Sequence, residues 1–134
     1  MRFVSRCAAA ALLLALAGCS DGPARTVVTG KVTFKGAPVA KGQIRFLIND
    51  RPSAMGQIEN GTYRIDHLGG VPVGSGKVEI EGFEDTGKVV WTGPAGDKVH
   101  EARQILPKKY NEKSELTVTI PPGRQHEQNF DLAP

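Results

Sequence analysis

Thr26–Phe34 reads TVVTGKVTF, and its side chains fall into two sets that alternate along the chain. One set is Val28, Gly30, Val32 and Phe34, and the other is Val27, Thr29, Lys31 and Thr33. Because successive side chains of a β-strand point to opposite faces, this period of two is typical of a strand with one buried face. The stretch therefore predicts a half-buried β-strand and indicates the fold class of the domain.

Further short segments of the same kind follow, with turns between them every ~8–12 residues. They are 43–48, 57–59, 62–65, 77–83, 116–120 and 130–132. The composition, with sixteen glycines and nine prolines, also favours β structure over helix. About seven short strands of this kind predict an all-β domain built as a β-sandwich.

Asn60-Gly61 lies between two alternating segments and predicts a β-hairpin. A type I′ turn needs a positive φ at both of its central residues, and Asn-Gly is the pair that adopts it most readily. Tyr63, in the second strand of this hairpin, is predicted to point inward. Residues 35–38, KGAP, predict another turn.

Residues 84–101 are the least strand-like part of the chain, because they contain three glycines and a proline. Within them, Val89–Trp91 predicts a small flap. Trp91 is the single tryptophan of the chain, and two interpretations of it stay open. An exposed tryptophan on a loop can stack on a sugar ring or anchor a protein interface, whereas a buried one would cover one end of the core.

Residues 1–19, MRFVSRCAAAALLLALAGC, have the organisation of a targeting segment. Arg2 and Arg6 are followed by an uncharged run, Cys7–Ala17, that is rich in Ala and Leu. This run is shorter than the ~20 apolar residues that a bilayer-spanning helix needs, so it predicts a signal peptide.

The run ends in Leu16, Ala17, Gly18 and Cys19, which together resemble the lipobox of bacterial lipoproteins. In that family the peptidase cuts before the cysteine, whose sulfur carries a diacylglycerol group through a thioether, and the new amine can then be acylated. The acyl chains are of the palmitate type, and two or more of them give stable membrane anchoring. The predicted division is a signal peptide at 1–18, a lipidated tether at 19–25 and one domain at 26–134. The alternatives are an ordinary secretory signal that is cut elsewhere and a transmembrane anchor.

The charge balance after this cleavage excludes one class of partner. Loss of Arg2 and Arg6 leaves 15 basic residues against 14 acidic ones, a net charge of about +1. Nucleic-acid binding needs a concentrated basic surface, and the longest basic run is Lys108-Lys109. With Cys7 removed and Cys19 lipidated, the mature domain is expected to have no disulfide.

A set of motifs in a fixed order gives a family resemblance. They are V-x-G-x-V-x-F-x-G-x-P-V at 28–39, G-x-I-x-F at 42–46, N-G-x-Y at 60–63, V-P-x-G at 71–74, L-P-x-K-Y-N-x-x-S-x-L-x-V at 106–118 and F-D-L at 130–132. Together with the lipobox, they resemble the small lipoproteins of planctomycete-type bacteria that carry a carboxypeptidase-regulatory-like, transthyretin-like domain. One departure is Ser75-Gly76, where the family often has an aromatic core residue.

The resemblance implies a prealbumin-like fold, a seven-stranded Greek-key β-sandwich of two antiparallel sheets. It also implies a non-catalytic role in the cell envelope, as a binding or structural accessory. A carbohydrate-binding module that uses Trp91 on cell-wall glycan is the alternative. Ser20, directly after the lipidated cysteine, favours the outer membrane, although Asp21 follows it.

Enzymatic chemistry has little support among the residues. The intradiol dioxygenases have a similar sandwich and bind iron through two tyrosines and two histidines. Here the three histidines, His67, His100 and His126, are isolated in sequence, and a metal site needs ligands that converge on one centre. The related purine-degrading hydrolases end in Tyr-Arg-Gly-Ser, which this chain lacks. We therefore expect no catalytic residues, no metal and no cofactor.

Three residues are candidates for contact with a ligand or partner, namely Trp91, Lys108 and Tyr110. Lys108 and Tyr110 combine a positive charge with an aromatic ring, although the pattern favours an ordered edge segment with solvated lysines over a contact. The expected partners are the membrane, through the N-terminal lipid, and an envelope protein or a glycan.

Overall fold

In a computed structural model, residues 22–92 and 94–134 are described. The predicted signal peptide at 1–18, the lipobox and the lipidation site Cys19 lie outside these residues. The described chain forms the following strands: β1 (Arg25–Phe34), β2 (Ala37–Pro38), β3 (Lys41–Ile48), β4 (Ala54–Glu59), β5 (Thr62–Ile65), β6 (Val71–Pro72), β7 (Gly74–Thr92), β8 (Asp97–Gln104), β9 (Thr117–Ile120), β10 (Gln125–Glu127) and β11 (Phe130–Leu132). Two short 3₁₀ turns, His67–Gly69 and Lys108–Tyr110, interrupt them.

The strands form one open, mainly antiparallel sheet in the order β10-β1-β5-β4-β3-β7-β8. β9 also pairs with β7, and β2, β6 and β11 also pair with β1. The strands β10 and β11 run parallel to β1, whereas the other pairs are antiparallel. The all-β prediction is therefore confirmed.

β1 follows the alternation of its sequence. Val28 and Val32 are fully buried, at 0% exposure, whereas Lys31 between them is exposed. The strand begins at Arg25, one residue before the predicted start, and Arg25 pairs with Pro72. The carbonyl oxygen of Ala24 also accepts a hydrogen bond from the Val73 N–H at 2.9 Å. The last residues of the predicted tether therefore belong to the sheet.

The core is built from inward-facing residues of nearly all strands. Phe46 of β3 contacts two other aromatic residues, with ring centroids 6.2 Å from Tyr63 and 6.4 Å from Phe130. Aromatic rings at such separations and tilted angles pack favourably. Tyr63 is buried, as the hairpin pattern predicts. These contacts join β3, β5 and β11, which are far apart in sequence, around one core.

The predicted turns form as the sequence indicates. Asn60 and Gly61 have φ values of 50° and 76°, and they connect β4 to β5. Lys35 and Gly36 have φ values of 53° and 77°, and they connect β1 to β2. Positive φ at both central positions is the geometry of the type I′ hairpin.

The structure corrects the prediction for residues 84–101. Residues 84–92 and 97–101 form two paired antiparallel strands, because β7 runs on to Thr92 and β8 lies alongside it from Asp97. The predicted flap at Val89–Trp91 is thus part of a regular strand. Two smaller points also differ from the sequence analysis. Lys108–Tyr110, for which the sequence favours an edge segment, forms a 3₁₀ turn, and the short strand β10 was not predicted.

Candidate functional site: the arm and the groove at its base

The second half of β7 and most of β8 leave the rest of the sheet as a two-stranded arm, which we define as residues 84–92 and 97–103. β3 accompanies β7 only as far as the Lys41–Phe83 pair. Beyond that pair, β7 has β8 as its only neighbour among the described strands. Most of the arm residues with described side chains are exposed. The arm is therefore a ribbon with solvent on both faces.

A bulge at the base of the arm is held by Asp85. The register between β7 and β8 shifts between Asp85 and Val89. The Gly87 N–H donates to Oδ1 of Asp85 at 2.7 Å, and Oδ2 of Asp85 lies 2.7 Å from Nδ1 of His100 on the opposite strand. These two contacts hold the pKa of the Asp85 carboxyl below its usual range. The hydrogen bond from Gly87 has the larger effect and the contact with His100 the smaller one.

The register of the arm separates its two faces. Val89 lies opposite His100 and Trp91 lies opposite Lys98, so these four residues share one face. Val90 and Val99 are also opposite each other and lie on the other face. We call the face with Trp91 the outward face, because it continues the solvent-facing side of β3 and β7.

Trp91 is 68% exposed near the tip of the arm. The Nζ atom of Lys98 lies over its indole ring, 5.1 Å from the ring centroid. A cation over one face of an indole is a favourable contact that also limits how the ring can move. The interpretation in which Trp91 covers one end of the core is therefore wrong, and its ring is largely exposed to solvent.

A groove of about 510 Å³ lies where the arm leaves the body, between the outward face and the ends of β3 and β4. Its principal side chains are Lys41, Gln43, Gln57, Glu59, Asn60 and Phe83. Ala102 of the arm also lines it, so groove and arm are continuous. This groove was not predicted from the sequence, although alternation places the amide side chains of Gln43 on β3 and Gln57 on β4 on the outward face, which is a usable signal.

Tyr110 and Lys108 lie elsewhere and have contacts of their own. Tyr110 is only 8% exposed. Its hydroxyl donates to the Ala133 carbonyl oxygen at 2.8 Å and accepts from the Ala133 N–H at 3.0 Å. Lys108 forms an exposed ion pair with Glu112, with Nζ and Oε2 3.4 Å apart. The structure thus gives Tyr110 a role in packing and leaves Lys108 solvated.

The remaining candidate residues of the sequence analysis are dispersed. His67 lies in a 3₁₀ turn, His100 on the arm and His126 on β10. Across residues 22–92 and 94–134, no three His, Cys, Asp or Glu side chains come together as a set of metal ligands. The structure therefore does not bring the histidines and tyrosines together in one site.

The hydroxyl of Tyr63 donates to the Gln128 carbonyl oxygen at 2.5 Å. Burial raises the pKa of Tyr63 well above its usual range, and the charge of Glu127 adds to the effect. Because Tyr63 stays protonated, its hydroxyl keeps this hydrogen bond and joins β5 to the segment between β10 and β11.

The part of the chain that the structure describes contains no helix with the length and apolar character needed to cross a membrane.

No protein-family model matches this chain, and no curated protein matches it. Among solved structures, it is similar to the crystal structure of a 9R-lipoxygenase from Cyanothece PCC8801, at 13% sequence identity and a TM-score of 0.38. The alignment covers 81% of this chain but only 16% of that one. A similarity this low carries no argument about the fold or activity of the chain.

Proposed function

We propose that this chain is a lipid-anchored protein of the bacterial envelope with a non-catalytic domain that acts as a binding or structural accessory. The lipobox-like residues 16–19 support the anchor. The observation that carries the binding role is the arm, which holds Trp91 68% exposed on a ribbon away from the core. Exposing a large apolar side chain in water is unfavourable, so an exposed tryptophan on a projecting element suits a contact with a partner.

We also propose that the domain has a transthyretin-like fold, a seven-stranded Greek-key β-sandwich. Its support is the non-sequential order of the strands, in which β1 pairs with β5 and β11 and lies beside neither β3 nor β4. Neighbours that are distant in sequence are typical of Greek-key connections. The aromatic contacts of Phe46 with Tyr63 and Phe130 across the core also support two packed layers.

The hydrogen bonds of four tyrosine and serine hydroxyl groups support a non-catalytic role. Those of Tyr63 and Tyr110 are hydrogen-bonded to backbone groups of distant residues. The Ser114 hydroxyl bonds to the carbonyl oxygen of Val78, and that of Ser75 lies 2.9 Å from the Thr119 hydroxyl. A nucleophilic hydroxyl needs a neighbouring general base. These four groups instead fasten the strands and turns to one another.

The anchor is tested by labelling cells with an alkyne analogue of palmitate. Wild-type protein should carry the label and sediment with the membranes, and the Cys19→Ala variant should carry none. Cys7→Ala is the matched control, because Cys7 lies within the predicted signal peptide and should be lost with it. Equal labelling of the Cys19→Ala variant would overturn the anchor. Separation of the two membranes then tests the outer-membrane location that Ser20 favours.

The binding role is tested in the same cells with a photo-crosslinking amino acid at Val89, which is exposed on the same face of the arm as Trp91. We expect one reproducible envelope protein or glycan among the crosslinked products. Crosslinks confined to random abundant proteins would contradict a specific accessory role. A crosslinker at Leu68, an exposed residue in the 3₁₀ turn His67–Gly69 and outside the groove lining, is the control position.

A glycan-binding module that uses Trp91 is the second candidate function. The observation that favours it is the groove at the base of the arm, which is lined by the amide side chains of Gln43, Gln57 and Asn60. Amide groups both donate and accept hydrogen bonds, as the hydroxyl and acetamide groups of sugars require. If Trp91→Ala binds cell-wall glycan as well as the wild type does, this candidate is wrong.

A further inference from the structure

We infer that the groove and the arm form one extended site for an uncharged glycan chain, with Phe83 and Trp91 as two aromatic platforms at its ends. This inference deepens the glycan-binding candidate and rests on it. It adds a second platform, a direction along β7 and β8, and a requirement for ligand length.

The two platforms lie on the same face of the same ribbon. Phe83 pairs with Gln104, and Trp91 pairs with Lys98 six residues earlier on β8. Since six residues of β-strand span about 20 Å, the two rings are separated by about that distance along the arm. Between them lie the pair of Ala102 and Asp85 and the pair of Val89 and His100. The carboxylate of Asp85 is already engaged by the Gly87 N–H and by His100. The path from groove to tip is therefore continuous.

The chemistry of the groove suits sugar hydroxyl and acetamide groups. Gln43 and Gln57 lie directly opposite each other on β3 and β4. In the next row, Lys41 lies opposite both Glu59 and Phe83. The charges of Lys41 and Glu59 offset each other, so the groove has no strong preference for an anionic or a cationic ligand. A neutral chain that is rich in hydroxyl and amide groups fits this lining best.

Trp91 offers the second platform at the tip. Lys98 covers one face of its indole ring, and the ring as a whole is still 68% exposed. Gly96 also lies near the six-membered ring of the indole, and the exposed remainder of the ring is available to stack on the apolar face of a pyranose ring. No amide side chain is adjacent to Trp91 in the register of the arm, so this end supplies stacking and the groove supplies hydrogen bonds.

The position of the anchor argues against the membrane as the partner of the arm. The hydrogen bond from Val73 to Ala24 places the N-terminal end of the domain beside Gly74, the first residue of β7. Trp91 is near the other end of the same strand, up to about 55 Å away at the usual rise per strand residue. A lipid on Cys19 would thus hold one end of the molecule, and the arm would extend from the other end towards the wall.

The test measures binding of the purified full chain to oligosaccharides of β-linked N-acetylglucosamine by calorimetry. We expect the hexasaccharide to bind about tenfold more tightly than the disaccharide, because only the longer ligand reaches both platforms. Trp91→Ala should remove this dependence on length and leave the disaccharide affinity unchanged. Gln57→Ala should weaken both ligands. Val90→Ala, on the opposite face of the arm, should change neither.

The fluorescence of Trp91 gives an independent readout, because it is the single tryptophan. Its emission should shift with the hexasaccharide and not with the disaccharide. Equal affinity for all lengths, loss of length dependence in the Val90→Ala variant, or binding to phospholipid vesicles without binding to sugar would each overturn the inference. None of these results affects the palmitate labelling of Cys19, so failure of the glycan site and failure of the anchor are distinguishable.

Discussion

The hydroxyl of Tyr63 donates a hydrogen bond of 2.5 Å to the carbonyl oxygen of Gln128, which lies between β10 and β11. The Gln128 N–H in turn donates to the Thr29 carbonyl oxygen at 2.8 Å on β1. Gly30, the next residue on β1, lies against the same carbonyl group of Gln128. One residue of the C-terminal segment is thus fixed to two strands that are distant in sequence.

Tyr63→Phe should destabilise the domain by about 1–2 kcal/mol, because it leaves the partly buried carbonyl oxygen of Gln128 without this donor. The ring itself stays and keeps its contact with Phe46, so the core volume does not change. The measurement is urea unfolding at neutral pH. A Tyr63→Phe variant as stable as the wild type would show that Gln128 finds another donor, such as water.

The same tyrosine predicts sensitivity to alkali. Its pKa is raised above the ordinary value of 10.0 in the folded state, chiefly by burial. Above about pH 10, the unfolded chain therefore releases this proton and the folded chain retains it, so stability falls as the pH rises. The urea midpoint of the wild type should fall between about pH 9 and about pH 11 more steeply than that of Tyr63→Phe. Parallel curves for the two proteins would contradict this prediction.

Gly30→Ala should destabilise the domain by about 3 kcal/mol or more. The added methyl group would clash with a backbone atom, and a backbone atom cannot move aside as a flexible side chain can. A Cβ at this position would lie 1.8 Å from the Gln128 carbonyl oxygen. Gly22→Ala is the control, since a Cβ there has no atom within 4 Å. Thermal unfolding of both variants checks the prediction, and similar effects at the two sites would mean that β1 and the C-terminal segment can separate freely.

The sequence predicts the parts of the fold that depend on local patterns. Val28 and Val32 are buried because the strand alternates, and Asn60-Gly61 turns because its two residues tolerate positive φ. The pairing of β1 with strands at the far end of the chain has no such local signal. Gly30 is an example. Only glycine fits at this position because the carbonyl group of Gln128, nearly a hundred residues later in the chain, occupies the place of a Cβ.

The candidate site was only partly predictable for a related reason. Trp91 is conspicuous in the sequence, yet its strand was predicted as a flap. A ribbon with solvent on both faces has no buried side, and therefore no apolar alternation, and Gly87 in the bulge resembles a loop residue. The groove combines Gln57, Gln43 and Phe83 from three strands, so it exists only once the sheet has formed.

Tyr110→Phe tests the packing role of a residue that the sequence suggested as a ligand contact. It should lower stability by about 1–2 kcal/mol, since both hydrogen bonds to Ala133 are lost. Lys108→Ala, which removes an exposed ion pair, should change stability by less than about 0.5 kcal/mol. Urea unfolding gives both values. Normal stability with weakened ligand binding in Tyr110→Phe would instead support a contact role.

Asp85→Asn should loosen the arm without affecting the core. An amide in its place can still accept from the Gly87 N–H, but it removes the carboxylate that pairs with His100. The pKa of Asp85 is lowered in the folded state. The stability that its ionised carboxylate gives to the arm is therefore present above the ordinary pKa of 3.8 and is lost as the pH falls below that value. The fluorescence of Trp91 should therefore be constant in the wild type down to about pH 4 and change below it, and change much less in Asp85→Asn.

Glu84→Gln is the matched control for this prediction. Glu84 is the preceding residue on the same strand, and it pairs with Arg103 rather than with His100. Its substitution leaves the bulge at Gly87 unchanged, so the acid response of Trp91 should stay as in the wild type. An equal loss of that response in Glu84→Gln would assign the effect to the overall charge of the arm and not to the contact between Asp85 and His100.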